Sequence, residues 1–463
     1  MQESPNNGVF EKTMRSVLAA CADCDTCRFL MDESCLFFPE LYRLYDKETA
    51  EGKPVGDAEL RKLSELCTLC GLCPCPNIPA DVIRGKTERV QREGLPLGIR
   101  LLADVQRFGR WCGMLPGVVN AALAFAPVDR AVKKIAGIHP QRRLPKIARE
   151  SFFAWAQKKG LSRQSGQSPK TAYFAGCTAG YFFPQVAKAA VSVLEKNGIS
   201  VFVPDQQCCG MPTLLEGDEQ ATLQRIGSNL EILLETAGAG YDLVCSCPTC
   251  GFLMKVLLKE RACYSDSYQR SVHAGADEIK VPDRKAGAEG FISLNKSMYH
   301  KILADDGYFS DLDPLKRIAL SDRVMDMGEY LDRLYRKGHL NAPMGMIHDR
   351  MVYFAPCHQR EQGIGSPYEN LLALIPGLEI VRVGGAMDCC GMGGNLGFKE
   401  TFYEKSIELG RPLFRKIEAA APEAIITDCL SCRLQFEHLL PYDVFHPLEV
   451  LSRAYESADF KPI

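Results

Sequence analysis

Five cysteines recur twice in the same order and at nearly the same spacing, and this duplication constrains the fold more than any other feature. "TAYFAGC" (171–177) ends in Cys177 and "MVYFAPC" (351–357) ends in Cys357. "QCCGMP" carries Cys208 and Cys209, and "DCCGMG" carries Cys389 and Cys390. "CPTC" closes the first set with Cys247 and Cys250, and "CLSC" closes the second with Cys429 and Cys432. Cys177 to Cys208 is 31 positions and Cys357 to Cys389 is 32; Cys209 to Cys247 is 38 and Cys390 to Cys429 is 39. Each copy alternates short β-rich runs with helical stretches. The runs are "TAYFAGC", "ISVFVPD" and "YDLVCSC" in one copy, and "MVYFAPC", "LEIVRVG" and "EAIITDC" in the other. This alternation predicts α/β units, and the repeat predicts two homologous halves. Open α/β sheets carry their sites at one edge, where the strand ends gather, so the loops bring three cysteine groups together in each half.

Thiolate is the soft ligand that zinc and iron–sulfur clusters select. Five thiols per half exceed the four that a cubane needs, and an adjacent pair can touch two irons at once. The glycines after each pair let the backbone approach sulfide and aim N–H donors at it. "GMGGNLG" also resembles a phosphate-binding loop, but it lacks the full βαβ fingerprint, so cluster binding ranks above it.

Two further cysteine groups occupy the first 80 residues. "CADCDTCRFLMDESC" holds Cys21, Cys24, Cys27 and Cys35, and "CTLCGLCPC" holds Cys67, Cys70, Cys73 and Cys75. Both keep the C-x2-C-x2-C of dicluster ferredoxins, in which the fourth cysteine of each run ligates the other cluster. That swap assigns Cys21, Cys24, Cys27 and Cys75 to one [4Fe-4S] cubane and Cys67, Cys70, Cys73 and Cys35 to a second. Their tails depart from the usual spacing: seven residues separate Cys27 from Cys35, and one separates Cys73 from Cys75. Zinc is the runner-up metal, because structural zinc prefers paired C-x2-C groups. The chain has 21 cysteines, and its N-terminal stretch has no apolar run of signal-peptide type. The thiols are therefore expected in a reducing cytoplasm, as ligands or redox groups rather than a disulfide scaffold.

Charge is uneven along the chain. Residues 84–163 carry 17 Lys/Arg against 5 Asp/Glu, a net of +12, although the whole chain carries -2. Within this region lies "MLPGVVNAALAFAPV" (Met114–Val128), too short and too broken to span a bilayer. A basic, amphipathic segment of this kind suits an anionic membrane surface or an acidic partner. No zinc-finger or aromatic–basic pattern accompanies the charge, which argues against nucleic acid.

The expected fold class is α+β and multidomain. A mostly helical dicluster ferredoxin unit (1–100) is followed by a basic amphipathic linker (101–168), a first cysteine-rich α/β domain (169–275), a helical connector (276–345) and a second cysteine-rich α/β domain (346–463).

The repeat C-x30/31-C-C-G-x36/37-C-x2-C resembles the cysteine-rich CCG domains of heterodisulfide reductases and related respiratory subunits. The order of units is similar to that in the iron–sulfur subunits of anaerobic glycerol-3-phosphate dehydrogenases. "HPQRRLPK", "PCHQREQGIG", "CCGMGGNLGFK", "RPLFRKIE" and "TDCLSC" also fit that family's pattern. The resemblance implies an oxidoreductase subunit, peripheral on the inner face of the cytoplasmic membrane, that relays electrons from a flavoprotein dehydrogenase to the quinone pool. It further implies two noncubane [4Fe-4S] clusters. One would be held by Cys177, Cys208, Cys209, Cys247 and Cys250, the other by Cys357, Cys389, Cys390, Cys429 and Cys432. Both motifs are complete, which favours, as the alternative, a heterodisulfide reductase-like thiol–disulfide oxidoreductase.

Cys112, Cys245 and Cys263 fall outside every pattern and read as buried structural thiols, with Cys245 also placed to act as an alternative ligand. His358 reads either as a donor to cluster sulfide or as a satisfied histidine at a helix start. His446 reads as structural, and the "FF" and "YFF" runs read as core. No Ser/His/Asp set, paired-carboxylate pattern or dinucleotide fingerprint stands out, so a partner is expected to oxidise the substrate.

Overall fold

The computed structural model describes residues 8–75, 77–164, 166–283, 290–299, 306–340 and 342–459. The remaining residues, including the first seven on which the N-terminal reading partly rests, lie outside it.

The chain opens with five helices: α1 (Gly8–Cys24), α2 (Thr26–Leu30), α3 (Phe37–Glu51), α4 (Asp57–Glu65) and α5 (Asn77–Glu93). In α1 the apolar residues Phe10, Met14, Val17, Leu18 and Cys21 follow helical spacing and are all buried. They pack on α5 and α3 around Leu41, Leu44, Leu60, Leu63 and Val82. Glu59, at the third position of α4, accepts from the Gly56 N–H and fixes where that helix begins. Cys21 and Cys24 lie in the last turns of α1, Cys27 in α2 and Cys35 just before α3, whereas Cys67, Cys70, Cys73 and Cys75 lie in the loop between α4 and α5.

The basic region forms α6 (Leu97–Ala103), α7 (Val105–Cys112), α8 (Pro116–Ala124), α9 (Ala126–Ala136) and α10 (Phe152–Lys158). Helix α8 buries none of its residues and packs against α9. Around this pair Trp111, Met114, Leu115, Val118, Phe125 and Ile135 are exposed. Arg142, in the extended stretch after α9, is fully buried and ties the region to the second half of the chain. It donates to the Gly397 carbonyl at 2.8 Å and to Gln435 Oε1 at 2.7 Å.

Two four-stranded parallel sheets follow, separated by a hairpin. The strands are β1 (Lys170–Phe174), β2 (Ser200–Phe202), β3 (Asp242–Cys245), β4 (Glu278–Pro282), β5 (Phe291–Asn295), β6 (Val324–Asp326), β7 (Arg350–Tyr353), β8 (Glu379–Arg382), β9 (Ala424–Ile426) and β10 (Asp443–Phe445). One sheet runs β2-β1-β3-β6 and the other β8-β7-β9-β10, so the duplicated sequence yields duplicated topology. All six strands expected from the repeat are present, four within the run that predicts them and β1 and β7 beginning one residue earlier.

The fourth strand of each sheet has no counterpart among the sequence expectations. The first sheet takes β6 from within residues 276–345, a segment whose sequence reads as a helical connector, and β4 and β5 form an antiparallel pair there. β6 is only three residues long, too short for an alternating pattern to register. The helix after it (Met327–Arg336) is strongly patterned and masks it. Residues 284–289, 300–305 and 341 of this segment lie outside the described part.

The two halves meet through a reciprocal exchange of helices. The helix after the first strand of one half (Pro184–Lys196) packs on the helix after the last strand of the other (Pro447–Asp459). In return, helix Pro367–Leu372 packs on helix Met327–Arg336. Such an exchange is the internal counterpart of a self-complementary dimer contact, and it places Tyr173, Tyr353, Tyr330 and Tyr368 in one shared core. Among the described residues no helix is long and apolar enough to cross a membrane.

Candidate metal centres

In each half the cysteines sit where the strands end. Cys177 lies in the helix that follows β1, Cys208 and Cys209 in the loop after β2, and Cys247 and Cys250 around the turn after β3. Cys357, Cys389, Cys390, Cys429 and Cys432 occupy the matching places around β7, β8 and β9.

The five thiols of the first half touch in series. The sulfurs of Cys177 and Cys208 are 3.4 Å apart. Cys208 contacts Cys209, Cys209 contacts Cys250, and Cys250 contacts Cys247. Contact with Cys177 and Cys209 holds the Cys208 thiol well below its usual range, while Cys177 and Cys209 are pushed up by sharing protons with it. In the second half the sulfurs of Cys390 and Cys432 are 3.0 Å apart. Cys390 also contacts Cys389, and Cys432 contacts Cys429. Contacts with Cys389 and Cys432 hold Cys390 low. Cys357 is pushed up by burial and then by the nearby Cys70, Cys390 and Cys429.

The glycine after each pair has a structural task. Gly391 has φ +82°, and a Cβ there would stand 1.9 Å from the Ser406 carbonyl oxygen. Freed of a side chain, its N–H donates to Cys389 Sγ at 3.3 Å. Gly210 has φ +103°, and its N–H helps hold Cys208 low. Backbone donors aimed at sulfur are what thiolate ligands of a cluster use.

The N-terminal cysteines gather in two sets. Burial pushes the Cys21 thiol up to about 12, with Cys27, Cys75 and Cys24 adding repulsion in that order. Burial also raises Cys27, again with Cys24 and Cys75 contributing. Cys24 is exposed and is held low by the Thr26 hydroxyl, 3.2 Å from its sulfur. Cys35 is pushed up to about 12 by burial and by Cys70 and Cys67. Cys73 is raised by burial, then by Cys67, Cys70 and Cys35. Cys75 thus lies near the first run and Cys35 near the second, and Cys27 of the first run also lies near Cys73 of the second.

Among the described residues, no three His, Cys, Asp or Glu side chains close on one point as a single ion requires. A four-iron cubane takes one thiolate per iron, the number each N-terminal group can supply, and the five thiols of each half offer one more; all-thiol groups with backbone donors suit iron–sulfur ligation. Cys245 is fully buried beside Asp326, while Cys112 and Cys263 are partly buried and away from every group.

Two buried lysines pass unnoticed in the sequence. Lys86 donates to the carbonyls of Cys67 (3.1 Å) and Leu215 (2.9 Å). Lys399 reaches Glu216 (2.8 Å) and Glu65 (3.3 Å). They pin the N-terminal helices to the two halves. Their only sequence signal is proximity to "CTLC" and "CCGMGGNLGFK", which says nothing of burial.

His358 donates through Nε2 to the Leu69 carbonyl at 2.8 Å, and Thr249 Oγ1 lies 3.0 Å from its Nδ1. Burial pushes it below its usual range. It is thus a satisfied histidine, but one satisfied across units. His446 is fully buried, 3.1 Å from the Ser246 carbonyl.

Residues 171–255 and 351–437 each match the cysteine-rich domain family CCG. The chain is 26% identical over 339 residues to a subunit of the anaerobic glycerol-3-phosphate dehydrogenase of Escherichia coli K12, covering 73% of this chain and 72% of that one. It is 26% identical over 408 residues to a subunit of the fumarate reductase (CoM/CoB) of Methanothermobacter marburgensis, covering 84% and 61%. It is 24% identical over 296 residues to lactate utilization protein A 1 of Bacillus mycoides, covering 61% and 96%. The two α/β halves are therefore a pair of cysteine-rich CCG domains, carried by a chain related to subunits of oxidoreductases.

Proposed function

We propose that the protein is an iron–sulfur electron-transfer subunit that relays electrons between a flavoprotein dehydrogenase and a membrane quinone. The observation that carries this reading is continuity. Cys27 of one N-terminal set lies near Cys73 of the other. Cys70 in turn stands near Cys357 of the second CCG domain. When bound, clusters at these sites take up and release single electrons. The proposed cubane ligands are Cys21, Cys24, Cys27 and Cys75, and Cys67, Cys70, Cys73 and Cys35. The proposed noncubane ligands are the five cysteines of each CCG domain.

The chain's own residues set the direction of the series. The exposed Cys24 and Cys75, with Phe29 and Leu30 exposed beside them, suit the end that meets a partner protein. The buried lysines and Arg142 hold the remaining thiol groups together. Exposed Trp111, Leu115, Val118 and Phe125, with Arg107, Arg110, Arg130 and Lys134 nearby in sequence, suit contact with an anionic membrane from the cytoplasmic side.

The complex with its flavoprotein partner is expected to reduce a water-soluble quinone analogue, and the full chain to sediment with anionic vesicles. Replacing Leu115, Val118 and Phe125 by Asp should abolish sedimentation while iron content stays unchanged. Failure of the complex to reduce the analogue would overturn the reading. The alternative, a thiol–disulfide oxidoreductase, is favoured by Cys389 and Cys357, which are only partly buried. It predicts that disulfide substrates oxidise the reduced protein.

A further inference from the structure

We propose that His358 is the positioning residue that holds the Cys67–Cys73 loop against both CCG domains. It thereby sets the contact across which electrons pass between the N-terminal thiol groups and the two C-terminal ones. This inference rests on the relay reading for its purpose, but its geometry stands independently.

Three candidate metal-binding loops meet at this one imidazole. His358 is joined by a peptide bond to Cys357. Its Nε2 faces the carbonyl of Leu69, which lies between Cys67 and Cys70. Its Nδ1 faces the hydroxyl of Thr249, which lies between Cys247 and Cys250. A carbonyl accepts only, so Nε2 carries the hydrogen, and in the neutral ring Nδ1 accepts from Thr249. The ring also stacks on Phe252, with centroids 4.7 Å apart and planes 10° from parallel. Both nitrogens and one face are therefore spent on holding neighbours, which leaves neither nitrogen to donate to cluster sulfide.

The surrounding residues are fitted to the same contact. A Cβ on Gly71 would stand 2.6 Å from Glu361 Cγ and 3.2 Å from the Phe252 ring, so the loop can lie this close only because the position is glycine. Gln362 donates to the carbonyls of Pro248 and His358, and a Cβ on Gly251 would stand 2.7 Å from its Oε1. The first CCG domain has no equivalent. There the residue after the strand-end cysteine is Thr178, whose hydroxyl lies 3.9 Å from the sulfur of its own neighbour Cys177. The hand-over concerned is a single electron leaving one thiol-bound site and arriving at the next, with no bond made or broken. Its rate depends on spacing that His358 fixes.

The test uses the full chain purified anaerobically. His358→Phe keeps the stacking on Phe252 and removes both hydrogen bonds. Thr249→Val removes one of them, and His358→Gln restores a donor and an acceptor. Backbone amide exchange over residues 67–73 is expected to rise at least tenfold in His358→Phe, less in Thr249→Val, and to return toward wild type in His358→Gln. Strands Lys170–Phe174 and Arg350–Tyr353 should be unaffected. The magnetic interaction between reduced clusters, read by EPR, should weaken in the same order. Unchanged exchange over 67–73, or a rise spread equally over the whole chain, overturns the proposal. Should His358→Phe not fold, Thr249→Val against wild type decides by the same criterion. A wild-type chain without iron would overturn the relay reading, and the exchange comparison on that same chain would still decide the role of His358.

Discussion

In the first CCG domain only Cys247 of the five motif thiols is partly buried and the other four are buried, whereas in the second both Cys357 and Cys389 are partly buried. The strand order is the same in both, so the difference arises in the residues that finish each loop. The first half places Thr178, Ser246 and Asp326 where the second places His358, Asp428 and His446. In the first half all five thiols touch in series. In the second, the series joins Cys389, Cys390, Cys432 and Cys429, and Cys357 lies near Cys390 and Cys429 but also near Cys70 of the N-terminal loop. Duplication thus supplied two matching frames, and divergence linked all five thiols in one while bringing the other up to the N-terminal loop.

The largest expected effect separates the two sites directly. Cys209→Ser and Cys390→Ser should each remove about four irons per chain, measured by metal and acid-labile sulfide analysis. Loss of all iron in either variant would mean that the halves do not load independently.

Asp326 and His446 occupy matching positions but answer to pH in opposite directions. Burial pushes the Asp326 carboxyl up to about 7, and its Oδ2 has no hydrogen-bond partner among the described residues. Between about pH 4 and 7 the unfolded chain has released this proton and the folded chain has kept it, so stability falls as pH rises. Burial pushes His446 down to about 3. Between about pH 3 and 6.5 the unfolded chain binds a proton that the folded chain refuses, so stability falls as pH drops. The two slopes oppose each other where the windows overlap. Asp326→Asn should therefore stabilise the protein at pH 8 by up to about 4 kcal/mol and leave a stability that declines toward pH 4. Urea titrations at several pH values check this, and an unchanged pH profile in Asp326→Asn would contradict it.

The glycines should also differ. Gly391→Ala drives a Cβ into the Ser406 carbonyl from a left-handed backbone and should cost about 3 kcal/mol or more. Gly210→Ala also sits at positive φ but meets only side-chain atoms of Ile226 and Thr222, at 3.2–3.5 Å, and should cost about 1–2 kcal/mol. Thermal unfolding of both variants reads the order. Smallest of all, Cys357 and Cys389, only partly buried, should be alkylated about tenfold faster than the buried Cys209 in the metal-depleted chain, because all three thiols are pushed up alike and exposure then decides. Mass mapping of the labelled peptides would show this, and equal labelling would erase the distinction between the sites.

The frame is legible in the sequence because its signals are local. β-branched runs such as "LEIVRV" and "EAIIT" declare strands, and cysteines at matched spacing declare the repeat. β6 and β10 are not legible, because three residues between capped helices carry no period. The reciprocal helix exchange escapes for a different reason: it depends on which apolar faces meet between helices far apart in the chain, about 30 positions for one pair and about 250 for the other. The same holds for His358, Lys86, Arg142 and Lys399. Each is an ordinary polar residue in the sequence and becomes informative only when the fold buries it against a distant carbonyl or carboxylate. Sequence locates the thiols, and packing reveals how their groups are held together.

If the four all-thiolate groups each hold an iron–sulfur cluster, as proposed, the iron, zinc and acid-labile sulfide content of the anaerobically purified full chain reads it most directly. About 16 irons with matching sulfide and no zinc are expected. Stoichiometric zinc, or iron without sulfide, would contradict the proposal.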